Sequence, residues 1–521
     1  MKQPYLSKFA NLVFVLLTSL MLVFTANEAF SAEIATGIVF NDTNSNGIYD
    51  TGEKGIKDVR VSNGVDIVIT DESGKYKMPV DEDCIIFVIK PKNWTTQFSK
   101  DNLPKFYYIH KPNGSSQLKY AGVLPTGNLP KSVDFPLYPS DETQPFKALL
   151  FGDTQTTNQT EVDYLAHDIV EELIGTDAAF GVTLGDIMND NLSFFDSLNS
   201  TIGLIGIPWY NVMGNHDRNY DAKLPKYSNE TFERIYGPSH YSFDHGDVHF
   251  IALYDVMHNP GDGGYTGGLG SEQMTFIKND LNLVSKDKLV VLMMHIPILE
   301  IKERQEIFDI LKEFPNTFSI SAHYHHHEHT FLTSEHGWNG DKPHHHLINV
   351  TACGSWWTGV PDERGIPHTT MSDGAPNGYT IITFDGNTYK TEFKATRFPK
   401  EYQMNIFAPE QVKSEELSKS EVLVNVFDGS EKSKVEISYD DGKSWLRMEK
   451  ASIEDPYYMI IKGEEKQTDL PGRDLPKAKK SPHIWRSSLP ANMEKGKHLI
   501  HIHTTDMFGH EYVGYRIITI L

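Results

Sequence analysis

Hydrophobic and polar positions fall into three regimes along the chain. From about Glu33 to Tyr138, short runs such as Asp66-Ile67-Val68-Ile69-Thr70 and Cys84-Ile85-Ile86-Phe87-Val88-Ile89 are split by turn signals like Asp71-Glu72-Ser73-Gly74. Brief alternating runs between polar turns predict an all-β module. From Phe146 to about Phe398, apolar strand-like runs alternate with helical patterns. Val162, Leu165, Ala166, Ile169, Val170 and Leu173 recur at the spacing of one helix face. Alternation of strand and helix predicts a layered α/β domain. Beyond a connector at Pro399 to Glu416, strand patterns return in Val422-Leu423-Val424-Asn425-Val426, Val435-Glu436-Ile437-Ser438-Tyr439 and Tyr515-Arg516-Ile517-Ile518-Thr519-Ile520. The expected units are 32–138, 146–398 and 412–521.

A chain of 521 residues agrees with about three domains at roughly 150 residues each. The balance of 48 Lys+Arg against 70 Asp+Glu gives −22, which repels phosphate backbones and disfavours general nucleic-acid binding. At the N-terminus, Lys2 and Lys8 precede the apolar run Leu12 to Phe24, and Ala29-Phe30-Ser31 offers small residues before Ala32. This pattern predicts a cleaved signal peptide over 1–31 and an exported protein, periplasmic or extracellular. The run is shorter than the roughly 20 apolar residues a bilayer requires, and no second run of spanning length follows, so the mature chain is expected to lack a transmembrane segment. Cys84 and Cys353 are the only cysteines, too few for a thiolate cage, so a metal must be held by nitrogen and oxygen. Of 23 His residues, 17 lie between His167 and His368, and the candidate chemistry is concentrated there.

Five segments of the middle block share one design, an apolar strand that ends abruptly in Asp, Asn or His. They are Ala148-Leu149-Leu150-Phe151-Gly152-Asp153-Thr154-Gln155, Gly181-Val182-Thr183-Leu184-Gly185-Asp186, and Tyr210-Asn211-Val212-Met213-Gly214-Asn215-His216-Asp217. The remaining two are Leu289-Val290-Val291-Leu292-Met293-Met294-His295 and Phe318-Ser319-Ile320-Ser321-Ala322-His323-Tyr324-His325. Functional groups in α/β sheets gather at the carboxyl ends of strands, so the five tips are expected to converge. Two carboxylates, two amides and several imidazoles form a ligand set for two divalent ions, with Asp186 as the natural bridge. Paired ions suit in-line displacement at phosphate esters.

These ordered motifs resemble those of the calcineurin-like metallophosphoesterase family, whose pattern is D-x-H, G-D, G-N-H-D, a lone His after a strand, and G-H-x-H. The resemblance covers roughly residues 146 to 390. It implies a layered β-sandwich core with helices on both faces, flanked here by two all-β sandwich-like modules. It also implies a metal-dependent phosphoric ester hydrolase working by metal-bound water or hydroxide attack. Carried over by residue, it assigns Asp153, Gln155, Asp186 and His325 to one metal and Asp186, Asn215, His295 and His323 to the other. His216 would act beside the leaving oxygen, with Asp217 orienting its ring. Gln155 stands where many members have His, and an amide oxygen favours Mn²⁺ or Fe²⁺ over Zn²⁺. Ala322 replaces the usual Gly, and Asn189 occupies the place where purple acid phosphatases carry a metal-binding Tyr.

The other His residues of the 323–329 and 344–346 runs are expected to be mostly solvated, with His345 or His346 as candidates to return to the site. The segment from Cys353 through Asp373-Gly374 is long, irregular and aromatic, as substrate lids often are. Trp356, Trp357, Arg364, His368 and Asp373 are therefore candidate substrate residues. The tryptophans read equally as a stacking platform or as anchors of the loop. Near the N-terminus, Asp42-Thr43-Asn44-Ser45-Asn46-Gly47-Ile48-Tyr49-Asp50-Thr51-Gly52-Glu53 fits the calcium-loop pattern. Ligands would come from Asp42, Asn44, Asn46, Asp50 and Glu53 with the Ile48 carbonyl, and no flanking helices are predicted, so the ion would be structural. The hairpin signal Asp440-Asp441-Gly442 supports an immunoglobulin-like C-terminal sandwich. The leading expectation is a binuclear phosphoesterase acting on a phosphorylated small molecule or glycoconjugate, with a lean to phosphodiesters or phospho-sugars. The competing expectation is a surface-binding or adhesion protein that keeps the fold as a scaffold.

Overall fold

The computed structural model describes residues 33–259, 261, 264–465 and 474–521, so the expected signal peptide lies outside the described residues. In the middle of the chain two sheets stack face to face. The first has the strand order Trp209–Val212, Phe180–Leu184, Phe146–Phe151, Gly378–Asp385, Thr388–Ala395. Its first three strands run parallel and the last two antiparallel. The second runs Tyr241–His245, Val248–Ala252, Leu289–Met293, Thr317–Ser321, His344–Ile348, Glu328–Leu332, with four parallel inner strands and an antiparallel strand at each edge.

Period-2 alternation explains the layering. Ala148 and Leu150 point into the space between the sheets with Phe180, Phe250, Val290 and Leu292. Leu149 and Phe151 point the other way, against the helical residues Val162, Leu165, Ile169, Phe195 and Leu198. Both faces of each inner strand are thus covered, which is why these strands are continuously apolar. The helical run is Gln159–Leu165, a π-turn at Ala166–Val170 and Glu171–Leu173. The wide turn buries Asp168, whose carboxylate holds Arg364, Arg397, Asn377 and Thr396.

The N-terminal strands form two main sheets, one around Glu33–Asn41 and one of Tyr107–His110, Cys84–Ile89, Arg60–Ser62 and Ile67–Ile69, with a small pair of Gln97–Phe98 and Pro104–Lys105 beside them. Their core is continuous with that of the central sheets: the ring of Phe87 lies 5.8 Å from Phe276. Arg60 bridges Asp244 (2.9 Å) and Asp280 (2.8 Å), carboxylates that also clasp His249 between them. Lys90 reaches Glu142 at 2.6 Å. The N-terminal β block is therefore fused to the central layers by buried charge as well as by apolar packing. The C-terminal block is again two sheets, one around Glu421–Val426 and Ile484–Ser488 and one around Gly496–Thr505 and Glu511–Ile520, with a helix at Pro456–Glu465. Cys84 and Cys353 are both free. Among the described residues no helix is long and apolar enough to cross a membrane.

The histidine runs overturn one expectation. His344, His345 and His346 lie on the buried strand His344–Ile348 and are not solvated. His344 bonds Thr317 and Ser319, and His346 bonds Ser319 and Ser321, across the parallel pair. Their polar atoms are matched by hydroxyls two residues apart on the neighbouring strand, which is what makes their burial tolerable.

Candidate metal centre

Parallel strands end at one edge, so the polar residues that follow them meet. Asp153 comes two residues after Phe151, Asp186 two after Leu184, His295 two after Met293 and His323 two after Ser321. Leaving the sheet this sharply forces left-handed backbone at several of these residues. The φ values are 27° at Asp153, 40° at Gln155, 47° at Asp186, 72° at His323 and 52° at His325. Non-glycine residues avoid that region, and its concentration at one spot is typical of sites where packing over-determines the geometry. Glycine is required beside them: a Cβ on Gly185 would lie 2.5 Å from His295 Nδ1, and one on Gly214 only 2.0 Å from the Asp186 amide.

Hydrogen-bond polarity shows what charge the centre is built to hold. His325 Nδ1 lies 2.6 Å from the Gly354 carbonyl, so it carries a proton and donates, and in the neutral ring this leaves Nε2 as a bare acceptor. That Nε2 is 3.1 Å from Asp153 Oδ2, a buried carboxylate oxygen that receives no hydrogen bond. Asp153 Oδ1, by contrast, accepts the His323 amide at 3.0 Å. His295 repeats the pattern. Its Nδ1 donates to Leu184 O at 2.9 Å, so Nε2 faces Asn215 Oδ1 (3.0 Å), His323 Nδ1 (3.1 Å) and Asp186 Oδ2 (3.3 Å). Two groups of acceptors aimed at each other in a buried site are stable only around positive charge. The residues present therefore fit two cations, one by Asp153 and His325 and one by Asp186, Asn215, His295 and His323.

The electrostatics agree. Burial alone would lower the pKa of His295, but the Asp186 carboxylate outweighs it and holds the ring up at about 10. Against its own desolvation, Asp186 is held well below the usual carboxylate range by His295 and His216. His323 is pushed down to about 4 by burial and by His295.

Gln155 directs its Nε2 at Asp186 Oδ2 (3.4 Å) and its Oε1 towards Cys353 Sγ (3.8 Å). A half-turn of the amide would present the oxygen to a cation at Asp186.

The partner of His216 differs from expectation. His216 Nδ1 is 2.7 Å from Asp190 Oδ1, whereas the buried Asp217 carboxylate accepts the amides of Ile187 (3.1 Å), Met188 (2.9 Å) and Gly214 (2.9 Å). Asn215–Asp217 is a 3-10 turn, and at three residues per turn successive side chains diverge by about 120°. Asp217 thus clamps the two metal-motif loops together and does not orient the imidazole. Burial would lower the His216 pKa, but Asp186 and the Asp190 hydrogen bond raise it to about 9.

Four expected substrate residues are committed elsewhere. Trp357 is buried, with its indole N–H on Thr154 O at 3.1 Å, and anchors the loop behind the first motif. Arg364 pairs with Asp168 and Asp362. His368 contacts Glu465 of the C-terminal helix at 2.9 Å. Asp373 is buried between the His327 amide and His483. Trp356 alone remains at the centre, stacked on His325 with centroids 4.0 Å apart.

The sequence reading missed Asp190, Asp255 and Arg218. Asp255 follows the strand Val248–Ala252 and accepts the His295 and Ile296 amides, a sixth strand tip of the same design. Arg218 Nε donates to Asn215 O at 2.8 Å, its guanidinium held between the rings of Tyr220 and Tyr265.

The expected calcium loop closes on its own hydrogen bonds. Asp42 accepts the Ser45 and Gly47 amides, both Glu53 oxygens accept backbone N–H groups, and Asn44 and Asn46 converge on Asp50 Oδ2. Among the described residues, imidazole and carboxylate ligand atoms gather within 4.8 Å at Asp186/His295/His323 and at His327/His329/Asp428, and this loop is not one of those places.

Family models match the chain in order. "N terminal of Calcineurin-like phosphoesterase" covers residues 42–121, "Calcineurin-like phosphoesterase" 146–329 and "C terminal of Calcineurin-like phosphoesterase" 346–512. Fold and site together define a metal-dependent phosphoric ester hydrolase. The chain belongs to the calcineurin-like phosphoesterases and carries both the N-terminal and C-terminal modules of that family. Among solved structures it is similar to purple acid phosphatase PPD1 from yellow lupin (Lupinus luteus) seeds, at 13% identity and a TM-score of 0.36, over 65% of this chain and 66% of that one. The match thus spans just under two thirds of the lupin chain. It is also similar to CopC from Methylosinus trichosporium OB3b, at 14% identity and a TM-score of 0.13, over 22% of this chain and 84% of that one. No curated protein matches.

Proposed function

We propose that this is an exported, binuclear phosphoesterase whose substrates are phosphodiesters or phospho-sugar conjugates. The observation that carries the binuclear reading is the pair of acceptor-against-acceptor contacts, Asp153 Oδ2 with His325 Nε2 and His295 Nε2 with its three neighbours. The first cation would be held by Asp153, Asp186, His325 and the turned Gln155, the second by Asp186, Asn215, His295 and His323. Oxygen donors at the first position favour Mn²⁺ or Fe²⁺. When bound, such a pair neutralises phosphoryl charge and acidifies the attacking water.

The chain's own part is positioning and proton delivery. His216, whose side chain is 29% exposed, stands at the open side of Asp186. Its Nδ1 is fixed by Asp190, so Nε2 is the end that can hold a proton for a departing alkoxide. The wall of the centre is aromatic. Trp356 covers His325, while Tyr265 and Tyr324 contact His323 with centroids 6.0 and 5.5 Å away. Flat walls of this kind suit stacking on a sugar ring or another planar leaving group, which supports the conjugate reading over small alkyl esters. Export rests on the leader pattern Lys2 to Ser31, and a structural calcium on the spacing of Asp42 to Glu53.

The test is the initial rate of purified protein with Mn²⁺ on p-nitrophenyl phosphate and bis-p-nitrophenyl phosphate, with Asp186→Ala alongside. Turnover of the diester at the higher kcat/KM, abolished by the substitution, supports the reading. Turnover of the monoester alone removes the diester assignment, and no turnover of either ester favours the scaffold.

A further inference from the structure

The second cluster of ligand-type atoms, His327, His329 and Asp428, joins the catalytic layers to the C-terminal module. Both His327 Nε2 (2.8 Å) and His329 Nε2 (2.7 Å) meet the same oxygen, Asp428 Oδ1. The polarity test that calls for cations at the metal centre gives the opposite answer here. The Val350 amide, which can only donate, points at His327 Nδ1 from 3.1 Å, so the proton of a neutral His327 sits on Nε2 and is given to Asp428. If Tyr389 OH donates to His345 Nδ1 (2.8 Å), His345 Nε2 in turn donates to His329 Nδ1 (2.9 Å), and the His329 proton sits on Nε2 as well. With those tautomers every contact runs donor to acceptor, and no cation is called for.

What the cluster does follows from where its threads lead. His327 is two residues beyond His325, and its amide is tied to Asp373 Oδ2 at 3.0 Å. Val350, on its other side, accepts the Gly152 amide at 3.2 Å, immediately before Asp153. Two of the residues proposed for the first cation, Asp153 and His325, therefore hang from the His327 node. Asp428 reaches that node because the preceding Phe427 is fully buried among Val350, Met371, Ala375, Phe393 and Ala395 of the catalytic layers.

We propose that Asp428 of the C-terminal module is a positioning residue for the phosphoesterase site: through His327 it fixes the separation of Asp153 and His325. The proposal rests on the binuclear reading above. It makes the C-terminal module part of the catalytic unit and not a surface appendage.

The experiment is calorimetric Mn²⁺ titration of EDTA-stripped, full-length protein, comparing wild type, Asp428→Ala, Asp428→Asn and Glu465→Gln. Outer partners of metal ligands typically govern affinity by about 10–100-fold. Asp428→Ala is expected to weaken one of two Mn²⁺ steps by about that factor and leave the other unchanged. Asp428→Asn retains an acceptor oxygen and should show a smaller loss at the same step. Glu465→Gln weakens a separate contact between the modules and should bind both ions as wild type does. Two unchanged steps in both Asp428 variants would overturn the positioning role, as would equal weakening of both steps shared with Glu465→Gln. Should Asp428→Ala fail to fold, the Asn variant decides by the same criteria. A wild type that binds no pair of ions would refute the binuclear reading itself.

Discussion

His325 Nε2 and Asp153 Oδ2 face each other across 3.1 Å, and in the neutral ring both are acceptors, because the ring's one proton is spent on the Gly354 carbonyl. The same shortage of positive charge surrounds His295, and it sets the behaviour of the metal-free protein.

The first prediction concerns stability against pH. The His295 pKa is raised from 6.5 to about 10, burial notwithstanding, by Asp186. A raised folded-state pKa contributes stability that is fully present below the unfolded value and is lost as pH rises through the folded one. His216, raised to about 9, has the same sign. In EDTA the melting temperature should therefore fall between about pH 6.5 and 10, and saturating Mn²⁺ should flatten the decline because the cation replaces the proton. A flat EDTA profile would show that the site does not need the charge.

Asp190 should govern the alkaline limb of activity. His216 serves as an acid only while protonated, and the hydrogen bond it donates to Asp190, together with the nearby Asp186 charge, keeps it so up to about pH 9. Asp190→Ala is expected to lower kcat by about 10–100-fold, less than the roughly 10²–10⁴-fold that general acid catalysis supplies because His216 itself remains, and to move the limb to lower pH. A variant with unchanged limb position would separate Asp190 from the proton.

Much of this arrangement is legible in the sequence, for definite reasons. Five apolar runs that stop at Asp, Asn or His announce the edge where parallel strands end, and the centre forms there. Asp255 has the same design but follows its strand behind Leu253 and Tyr254, so the stop is blurred. The pairing of His216 with Asp190 is hidden because chain adjacency favours Asp217, whereas the 3-10 turn points neighbouring side chains apart. The buried histidines had a readable sign. Thr317, Ser319 and Ser321 alternate at period 2, and His344 and His346 match that period on the adjacent strand. The contact of Asp428 with His327 spans 101 positions, and no local pattern marks it.

Neighbours in the chain should give opposite phenotypes. Asp217→Ala orphans three buried amide N–H groups, and at about 1–3 kcal/mol for each such group it should cost about 3 kcal/mol or more in denaturant unfolding. His216→Ala, at a partly exposed position, should cost about 1 kcal/mol or less in Mn²⁺-loaded protein, where the cations supply the charge that its proton supplies in EDTA, and lower kcat by about 10²–10⁴. Comparable destabilisation by the two would contradict the clamp assigned to Asp217.

Arg60 should hold the N-terminal block in place. Its guanidinium, 11% exposed, ties Asp244 and Asp280, and removing one partner from a buried charge cluster costs about 3–5 kcal/mol. Arg60→Met is expected near the lower end, since Lys288 and His249 still face those carboxylates. Limited proteolysis should then release a fragment that ends in the connector before Phe146. A wild-type cleavage pattern would show that apolar packing alone suffices.

The central claim is that hydrogen-bond polarity separates the ion-binding cluster from the interdomain one. Anomalous diffraction from crystals of the Mn²⁺-loaded protein tests it most directly. The account predicts two manganese peaks, one beside Asp153 and His325 and one beside Asn215, His295 and His323, with Asp186 between them and no density among His327, His329 and Asp428. A peak in the interdomain cluster, or the absence of either peak at the strand tips, would contradict it.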